Sequence, residues 1–247
     1  MILFMTSSPC DNNVPAGVSL PCIFDVSNSF VDHLRACFKP DSRLAVICSD
    51  AHNHPLNDEM CDTFTKCFNY HGLTISKSVM IDSRNERDAA RLITLSDVVL
   101  LGGGHVPTQN EFFARIGLRA LLREYTGVII GVSAGSMNCT SPVYAQPELP
   151  GESIDPEYNR FIPGLGISGV QILPHYQMVK DNMLDGRRLY EDITYGDSHG
   201  RSFYAIPDGS YVLRRGDTYT LCGEGYLIRD GRCTQICRRE ETIDITP

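Results

Sequence analysis

A glycine-flanked serine is the residue of this sequence best suited to nucleophilic chemistry. Gly131-Val-Ser133-Ala-Gly135 matches the pattern G-x-S-x-G and directly follows the apolar residues 128–130. A sharp turn from a strand into a helix needs small neighbours, and it presents the hydroxyl beside the positive end of the helix. The alternative is a serine in an ordinary glycine-rich turn or at a helix N-cap. The position after a buried strand favours Ser133 as a nucleophile.

A serine hydroxyl needs a base to accept its proton, and seven histidines are available. His175 comes after the apolar run Ile172-Leu173 and Pro174, at the end of a predicted strand. If the sheet is parallel, this position lies on the same sheet edge as Ser133. The strand-end position favours His175 over His105 and His199.

A carboxylate would complete a triad, because it fixes the tautomer of the imidazole and stabilises its positive charge. Asp208 lies in Ile206-Pro-Asp-Gly209, after a later predicted strand. The sequence leaves open whether Asp208 is this acid or a simple turn residue, since Pro-Asp-Gly is also a strong turn signal.

A run of three glycines could supply the oxyanion donors of such a site. Gly102-Gly-Gly104 ends another predicted strand, and the backbone N–H groups of Gly104 and Ala134 are the candidates for an oxyanion hole. The alternatives are a flexible turn and a dinucleotide site, which is the weaker one because no G-x-G-x-x-G is completed there.

Strand and helix patterns alternate over the first two-thirds of the chain. Predicted strands cover residues 43–49, 73–80, 98–101, 128–130 and 167–173, and predicted helices lie around residues 30–38, 60–68, 112–122 and 185–195. Ser83 and Glu86 predict a capping box before a further helix at 89–93. Apolar strands separated by helices indicate a three-layer α/β fold with a mostly parallel sheet.

The last part of the chain has a different pattern. From residue 202 onward, alternating runs separated by Asp-Gly or Gly-Asp turns predict antiparallel hairpins at the edge of the sheet. With 42% hydrophobic residues among 247, the chain can bury one substantial core, so a single domain over 1–247 is expected.

Charge and hydropathy argue against two classes of partner. The 22 Lys and Arg residues against 30 Asp and Glu give a formal net charge of −8 without any basic run, so nucleic acid is not an expected partner. The longest apolar runs are too short to span a bilayer. The first residues, Met-Ile-Leu-Phe-Met, predict a strand and no signal peptide, so a cytosolic location is expected.

The ten cysteines are expected to be reduced and mostly structural. Cys48, Cys139 and Cys222 stand in apolar surroundings typical of buried thiols. Cys233 and Cys237 are the nearest pair, but no second close pair and no neighbouring histidine accompanies them. No metal site is therefore expected.

Four motifs, in order, resemble those of the dipeptidase E (aspartyl dipeptidase) family of serine peptidases. They are Gly102-Gly-Gly-His105, Gly131-Val-Ser-Ala-Gly135, Ile172-Leu-Pro-His175 and Ile206-Pro-Asp-Gly209. The resemblance extends over about residues 43–213 and implies a fold similar to class I glutamine amidotransferases. It also implies hydrolysis of short peptides, in the best-known branch those with N-terminal aspartate. By this resemblance Ser133 is the nucleophile, His175 the base, and Gly104 and Ala134 the oxyanion donors.

The chain departs from that branch at several positions. It has His105 where the branch has Asn, and Asp208 where the branch has Glu, which shortens the reach to His175 by one methylene. A Thr-Asn-Asp segment after the serine is missing. In the branch, an arginine downstream of the histidine binds the acidic side chain of the substrate. Arg187 and Arg188 fall in a comparable region, with solvated helix arginines as the alternative. The candidate substrate-binding residues are therefore Arg187, Arg188 and His105.

Three hypotheses follow for the function. The leading one is a serine peptidase that needs no cofactor, in which His175 activates Ser133 and Asp208 holds His175. The second is an α/β-hydrolase-type esterase with the order Ser, acid, His, for which Asp185 or Asp197 would combine with His199. The third is a non-catalytic amidotransferase-like module that binds a small ligand or partner. The sequence is silent on oligomeric state.

Overall fold

A sheet of eight strands forms the centre of the computed structural model, which describes residues 1–247. The strands are β1 (Ile2–Thr6), β2 (Cys10–Asp11), β3 (Ile23–Phe24), β4 (Ser42–Ile47), β5 (Ile75–Ile81), β6 (Val98–Leu101), β7 (Val128–Val132), β8 (Val143–Tyr144), β9 (Phe161–Ile162), β10 (Gln171–Leu173), β11 (Met183–Leu184), β12 (Arg187–Arg188), β13 (Ser202–Ala205), β14 (Tyr211–Arg215), β15 (Thr218–Cys222), β16 (Gly225–Arg229), β17 (Arg232–Cys237) and β18 (Thr242–Asp244).

Helices connect most of the parallel strands. The α-helices are α1 (Phe30–Arg35), α2 (His54–Tyr70), α3 (Ala89–Thr94), α4 (Val106–Arg115), α5 (Leu118–Arg123), α6 (Ala134–Met137), α7 (Tyr176–Val179) and α8 (Tyr195–Asp197). Two 3₁₀ turns, Ser27–Ser29 and Glu86–Asp88, and a π-helical segment, Leu189–Thr194, complete the helical structure. No helix is both long enough and apolar enough to cross a membrane.

The central sheet has the order β18-β15-β14-β1-β7-β6-β4-β5. Its β1, β7, β6, β4 and β5 run parallel, whereas β14, β15 and β18 are antiparallel additions beside β1. Strands β6 and β7 are almost entirely buried, as expected for parallel strands covered on both faces. The predicted α/β fold, with its mostly parallel sheet and C-terminal antiparallel hairpins, is thereby confirmed.

A second sheet of four strands, in the order β10-β13-β16-β17, lies outside the central one. Its β10 and β13 are parallel, and β16 and β17 add an antiparallel hairpin. It has its own core of 13 buried residues, separate from the 49 that pack around the central sheet. The sequence prediction placed β10 and the β16–β17 hairpin in the central sheet, and this was wrong. Apolar periodicity identifies a strand, but it does not show which sheet the strand joins.

The helix predicted over residues 185–195 begins only at Leu189. Asp185 and Gly186 have φ angles of 50° and 78°, and they form the turn of the β11–β12 hairpin. An Asp-Gly pair readily adopts this left-handed backbone, so the hairpin replaces the first helical turn. Arg187 and Arg188 therefore lie on a strand.

The capping box predicted at Ser83 is also absent from the structure. The Ser83 hydroxyl lies 2.8 Å from His54 Nε2. Helix α3 begins six residues later, after the 3₁₀ turn that contains Glu86. The Ser83 hydroxyl therefore contacts a residue distant in sequence and does not cap the following helix.

Candidate active site

Ser133 occupies a strained turn between β7 and α6. Its backbone has φ 51° and ψ −115°, a conformation that a residue with a side chain rarely adopts. The flanking glycines make the turn possible, since a Cβ on Gly131 would come within 2.7 Å of Ser136 Cα, and one on Gly135 would collide with the carbonyl of Leu101. The turn thus holds the hydroxyl out from the end of the sheet.

Hydrogen bonds to the residues at the end of β1 hold this turn in place. The Ser133 N–H donates to the carbonyl oxygens of Thr6, at 3.1 Å, and Ser7, at 2.9 Å. The Ser136 hydroxyl donates to the same Thr6 carbonyl at 2.8 Å. Because β1 and β7 are parallel neighbours, their carboxyl ends meet at one edge, and Ser7 lies beside Ser133.

His175 follows β10 of the second sheet and faces Ser133. Its Nε2 lies 2.9 Å from Ser133 Oγ, and its Nδ1 lies 2.8 Å from Asp208 Oδ1. The φ of His175 is 57°, a left-handed conformation just before α7. A serine hydroxyl, an imidazole and a carboxylate are therefore joined in one hydrogen-bonded series.

Asp208 follows β13, the parallel neighbour of β10, and accepts three side-chain hydrogen bonds. Besides His175, the Ser7 hydroxyl donates to its Oδ1 at 2.6 Å, and the Gln177 amide donates to its Oδ2 at 2.7 Å. Burial raises the pKa of Asp208, but the hydrogen bonds from His175, Ser7 and Gln177 outweigh it, so the pKa is lowered. The carboxylate stays ionised and can hold the Nδ1–H tautomer of His175, which leaves Nε2 free to accept the serine proton.

Ser7 and Gln177 were not predicted from the sequence. Ser7 is wholly buried, and its hydroxyl also accepts the His175 N–H at 2.7 Å. Gln177 also accepts the Asp208 N–H at 3.1 Å. A usable signal for Ser7 existed, since polar Thr6-Ser-Ser8 directly follows the apolar start of β1.

Gly104 and Ala134 flank the serine where an oxyanion would form. Both line the pocket that opens in front of Ser133. Gly104 has φ 148°, and a Cβ there would run into the Ser49 side chain. Ala134 is the first residue of α6, so its N–H has no acceptor within the helix. Both residues therefore lie beside Ser133 at the pocket, as the prediction of oxyanion donors requires.

The pocket in front of Ser133 is small and mainly apolar, with a volume of about 140 Å³. Its apolar lining consists of Val106, Ala134, Met137, Pro147, Pro174, Val179, Met183, Leu184 and Leu189. Glu148 is the one carboxylate in the lining, and no lysine or arginine belongs to it. Partial burial raises the pKa of Glu148; the histidines His105 and His175 only partly offset this, and Glu152 adds to it.

His105 supports the loop that carries Glu148. Its Nδ1 lies 2.8 Å from Thr108 Oγ1, and its Nε2 lies 2.8 Å from Glu152 Oε1. The other carboxylate oxygen of Glu152 accepts the N–H groups of Glu148 and Leu149. His105 thus lies behind the pocket wall and does not line the pocket.

Neither candidate arginine belongs to the lining of the pocket. Arg188 is exposed and forms a two-pronged ion pair with Asp192, with Nη2 to Oδ1 at 2.6 Å. Arg187 is also exposed, and its guanidinium donates to the carbonyl of Ser153 at 3.4 Å. Neither side chain is brought together with Ser133.

The residues of the alternative triad do not meet at the serine. Asp185 accepts hydrogen bonds from the backbone N–H of Gly151 and from Ser153. Asp197 is paired with Arg160 and with the Tyr144 hydroxyl. His199 packs beside Gly231. The geometry at Ser133 therefore gives no support to the order Ser, acid, His.

An α/β sheet that presents a serine at a strained strand-to-helix turn, in contact with a histidine, is the architecture of a serine hydrolase. The sequence model of Peptidase family S51 matches residues 29–222, and the chain therefore belongs to this family, the dipeptidase E family of serine-type peptidases. The family predicted from the four ordered motifs is confirmed.

A solved structure agrees with this fold. It is a protein from Listeria monocytogenes EGD-e, provisionally described as a peptidase E, and it aligns with a TM-score of 0.57 at 14% sequence identity. The alignment covers 95% of this chain and 98% of that one. At this identity the likeness concerns the fold alone. No curated protein sequence matches the chain.

Proposed function

We propose that this peptidase removes the N-terminal residue from short peptides by means of Ser133, His175 and Asp208. The observation that carries the proposal is the pair of contacts made by His175, 2.9 Å to Ser133 Oγ and 2.8 Å to Asp208 Oδ1. Both distances are those of hydrogen bonds: the first lets His175 accept the serine proton, and the second lets Asp208 hold the imidazole in place.

The proposed reaction proceeds in two halves. Ser133 Oγ attacks the peptide carbonyl while His175 Nε2 accepts its proton, and the N–H groups of Gly104 and Ala134 bind the oxyanion of the tetrahedral intermediate. His175 then returns the proton to the leaving amine, which departs and leaves an acyl-enzyme. Water, deprotonated by His175, releases the acid product and restores Ser133.

The pocket supports a preference for a free amino terminus. With the scissile carbonyl at Ser133, the N-terminal side chain would occupy the apolar pocket, and the α-ammonium would lie near Glu148. A pocket of about 140 Å³ accommodates roughly one side chain, which favours substrates cleaved after their first residue. An N-terminal aspartate, the preference implied by the resemblance, would place a second carboxylate beside Glu148 without a cation in the pocket lining.

Covalent labelling tests the catalytic assignment. A fluorophosphonate probe should label the unmodified protein at Ser133, and Ser133→Ala should abolish labelling. His175→Ala should reduce labelling strongly, whereas His199→Ala should leave it unchanged. If His199→Ala loses labelling and His175→Ala keeps it, the esterase arrangement is correct. Folded protein that does not react at all would favour the non-catalytic binding module.

A dipeptide panel tests the substrate assignment. We expect Ala-Leu to be cleaved faster than Asp-Leu, and N-acetyl-Ala-Leu to be cleaved at least about tenfold more slowly than Ala-Leu, as expected when a charge-assisted hydrogen bond is lost. Arg187→Ala and Arg188→Ala should have little effect on either dipeptide. Preferential cleavage of Asp-Leu that disappears in one arginine variant would instead establish an acidic-substrate pocket.

A further inference from the structure

Three cysteine thiols meet where the β2–β3 hairpin packs against α2. Cys10 begins β2, Cys22 directly precedes β3, and Cys67 lies in the last turns of α2. Their Sγ atoms all lie within 4.8 Å of one another, and those of Cys22 and Cys67 are 3.8 Å apart. Cys22 and Cys67 are buried, Cys10 is partly exposed, and all three are free thiols. This three-thiol cluster is remote in sequence from the predicted catalytic motifs.

The spacing of the cluster is compatible with a bound metal ion. In a tetrahedral site with Zn–S bonds of about 2.3 Å, neighbouring sulfur atoms are separated by about 3.8 Å. That is the separation between Cys22 and Cys67. An ion at the centre would need only a small inward shift of Cys10, the most exposed of the three.

The chemistry of three thiols narrows the class of ion that the cluster could bind. Thiolate sulfur prefers soft or borderline ions over Mg²⁺ or Ca²⁺. Zn²⁺ and Cu⁺ are ions of this kind.

We propose that Cys10, Cys22 and Cys67 bind one thiophilic metal ion, Zn²⁺ or Cu⁺, through their three sulfur atoms. Binding breaks the S–H bonds, releases the protons to solvent and forms three sulfur–metal bonds, without any change of oxidation state. The ion would tie the loop between Cys10 and Cys22 to α2. Proximity along the chain does not reveal this site, because its ligands come from three separate segments.

Titration of the reduced protein with Co²⁺ under anaerobic conditions tests the site. We expect thiolate-to-cobalt charge-transfer absorption that saturates at one Co²⁺ per chain and is abolished when Zn²⁺ displaces the cobalt. A parallel titration with Cu⁺ distinguishes which ion binds more tightly. Zn²⁺ should also raise the Tm of the unmodified protein.

Replacing each cysteine of the cluster by serine, one at a time, tests whether the cobalt absorption arises there. Cys10→Ser, Cys22→Ser and Cys67→Ser should each weaken metal binding at least about tenfold. Cys37→Ser is the matched control, because its thiol donates to backbone carbonyls in α1 outside the cluster and its loss should leave binding unchanged. If Cys67→Ser does not fold, the partly exposed Cys10 still provides the test.

The opposite results would overturn the proposal. Absence of both the charge-transfer band and Cu⁺ binding in the reduced, folded protein would show that the cluster binds no such ion. Equal binding by Cys10→Ser and the unmodified protein would place the metal elsewhere. Rapid air oxidation to a Cys22–Cys67 disulfide, together with absence of metal binding, would assign the cluster to redox chemistry. These measurements do not use peptidase activity, so they are independent of the proposed function.

Discussion

Ser7 contacts each member of the Ser133–His175–Asp208 series. Its hydroxyl donates to Asp208 Oδ1 and accepts the backbone N–H of His175, and its carbonyl accepts the N–H of Ser133. The side chain is fully buried, so water cannot replace these hydrogen bonds without a structural change. We infer that Ser7 is a positioning residue that sets the distances within the series.

Ser7→Ala should therefore impair catalysis more than substrate binding. Removing the hydroxyl leaves the His175 N–H without its acceptor and deprives Asp208 of one of its donors. We expect kcat to fall about 10- to 100-fold with KM nearly unchanged, and the free energy of unfolding to fall by about 1–3 kcal/mol. Steady-state kinetics and urea unfolding measure the two effects.

The neighbouring Ser8 provides the matched control. Its hydroxyl accepts only a long hydrogen bond from the Cys10 N–H, at 3.3 Å. Ser8→Ala should keep kcat within about twofold of the unmodified enzyme. If Ser7→Ala raises KM and leaves kcat unchanged, Ser7 acts on substrate binding and not on the geometry of the series.

Glu148 gives the proposed specificity a pH dependence. Its raised pKa means that the carboxyl takes up a proton at a pH above the ordinary glutamate value of about 4.3. The protonated form no longer attracts an α-ammonium, so KM for Ala-Leu should increase as the pH falls through that raised pKa. In Glu148→Gln, KM should be high at all pH values and lack this increase. The ratio of KM in Glu148→Gln to KM in the unmodified enzyme is measured at each pH. This ratio separates the contribution of Glu148 from those of other titrating groups.

The close packing around Gly135 predicts that alanine cannot replace this residue without disturbing the turn at Ser133. Gly135 lies within α6, and a Cβ there would meet the Leu101 and Gly102 carbonyls at the end of β6. Gly135→Ala should therefore force α6 away from β6, lower the free energy of unfolding by about 3 kcal/mol or more and abolish fluorophosphonate labelling. Gly196→Ala, at a helical position with nothing within 4 Å, should change neither property appreciably.

The sequence predicts those elements that are determined by residues close together in the chain. The glycines at 131 and 135 mark the turn because only they tolerate its close contacts, and the apolar runs of β4, β6 and β7 identify strands that are covered on both faces. The position of His175 after a strand could also be predicted. The pairing of β10 with β13 in a separate sheet could not, because it depends on partners distant in sequence.

Side-chain partners that form only after folding were likewise beyond prediction. The polar residues after β1 mark Ser7 as a candidate, but its partners in the site are set by the insertion of β1 between β7 and β14, which no local pattern encodes. The exposed positions of Arg187 and Arg188 follow from an Asp-Gly turn, which displaced the predicted helix. A motif can therefore indicate a candidate nucleophile, whereas substrate-binding residues on loops depend on the packing of the whole chain.

The candidate site bridges the two hydrophobic cores of the molecule. Ser133 follows β7 of the central sheet, whereas His175 and Asp208 follow strands of the second sheet, so the 2.9 Å contact between Ser133 and His175 joins the two. Catalytic geometry should consequently depend on how firmly the second sheet is packed. This dependence extends beyond residues 29–222, the part matched by the family, because β16 supports β13 from outside that range.

A pair of core substitutions separates this effect from general destabilisation. Ile228, fully buried in β16, packs in the second core, and Ile93, also buried, packs in the central core on α3. Replacing either residue by alanine should cost about 2–5 kcal/mol of folding free energy, since both changes leave a cavity. Only Ile228→Ala should also lower kcat, by about tenfold or more, because the cavity lies beneath the strands that carry His175 and Asp208, and small displacements of catalytic groups are costly.

Both enzymes would be assayed well below their Tm, with urea unfolding to match their stabilities. Equal kcat values in the two variants would mean that the second sheet holds His175 and Asp208 independently of its core, and a loss of kcat in Ile93→Ala alone would assign control of the geometry to the central sheet.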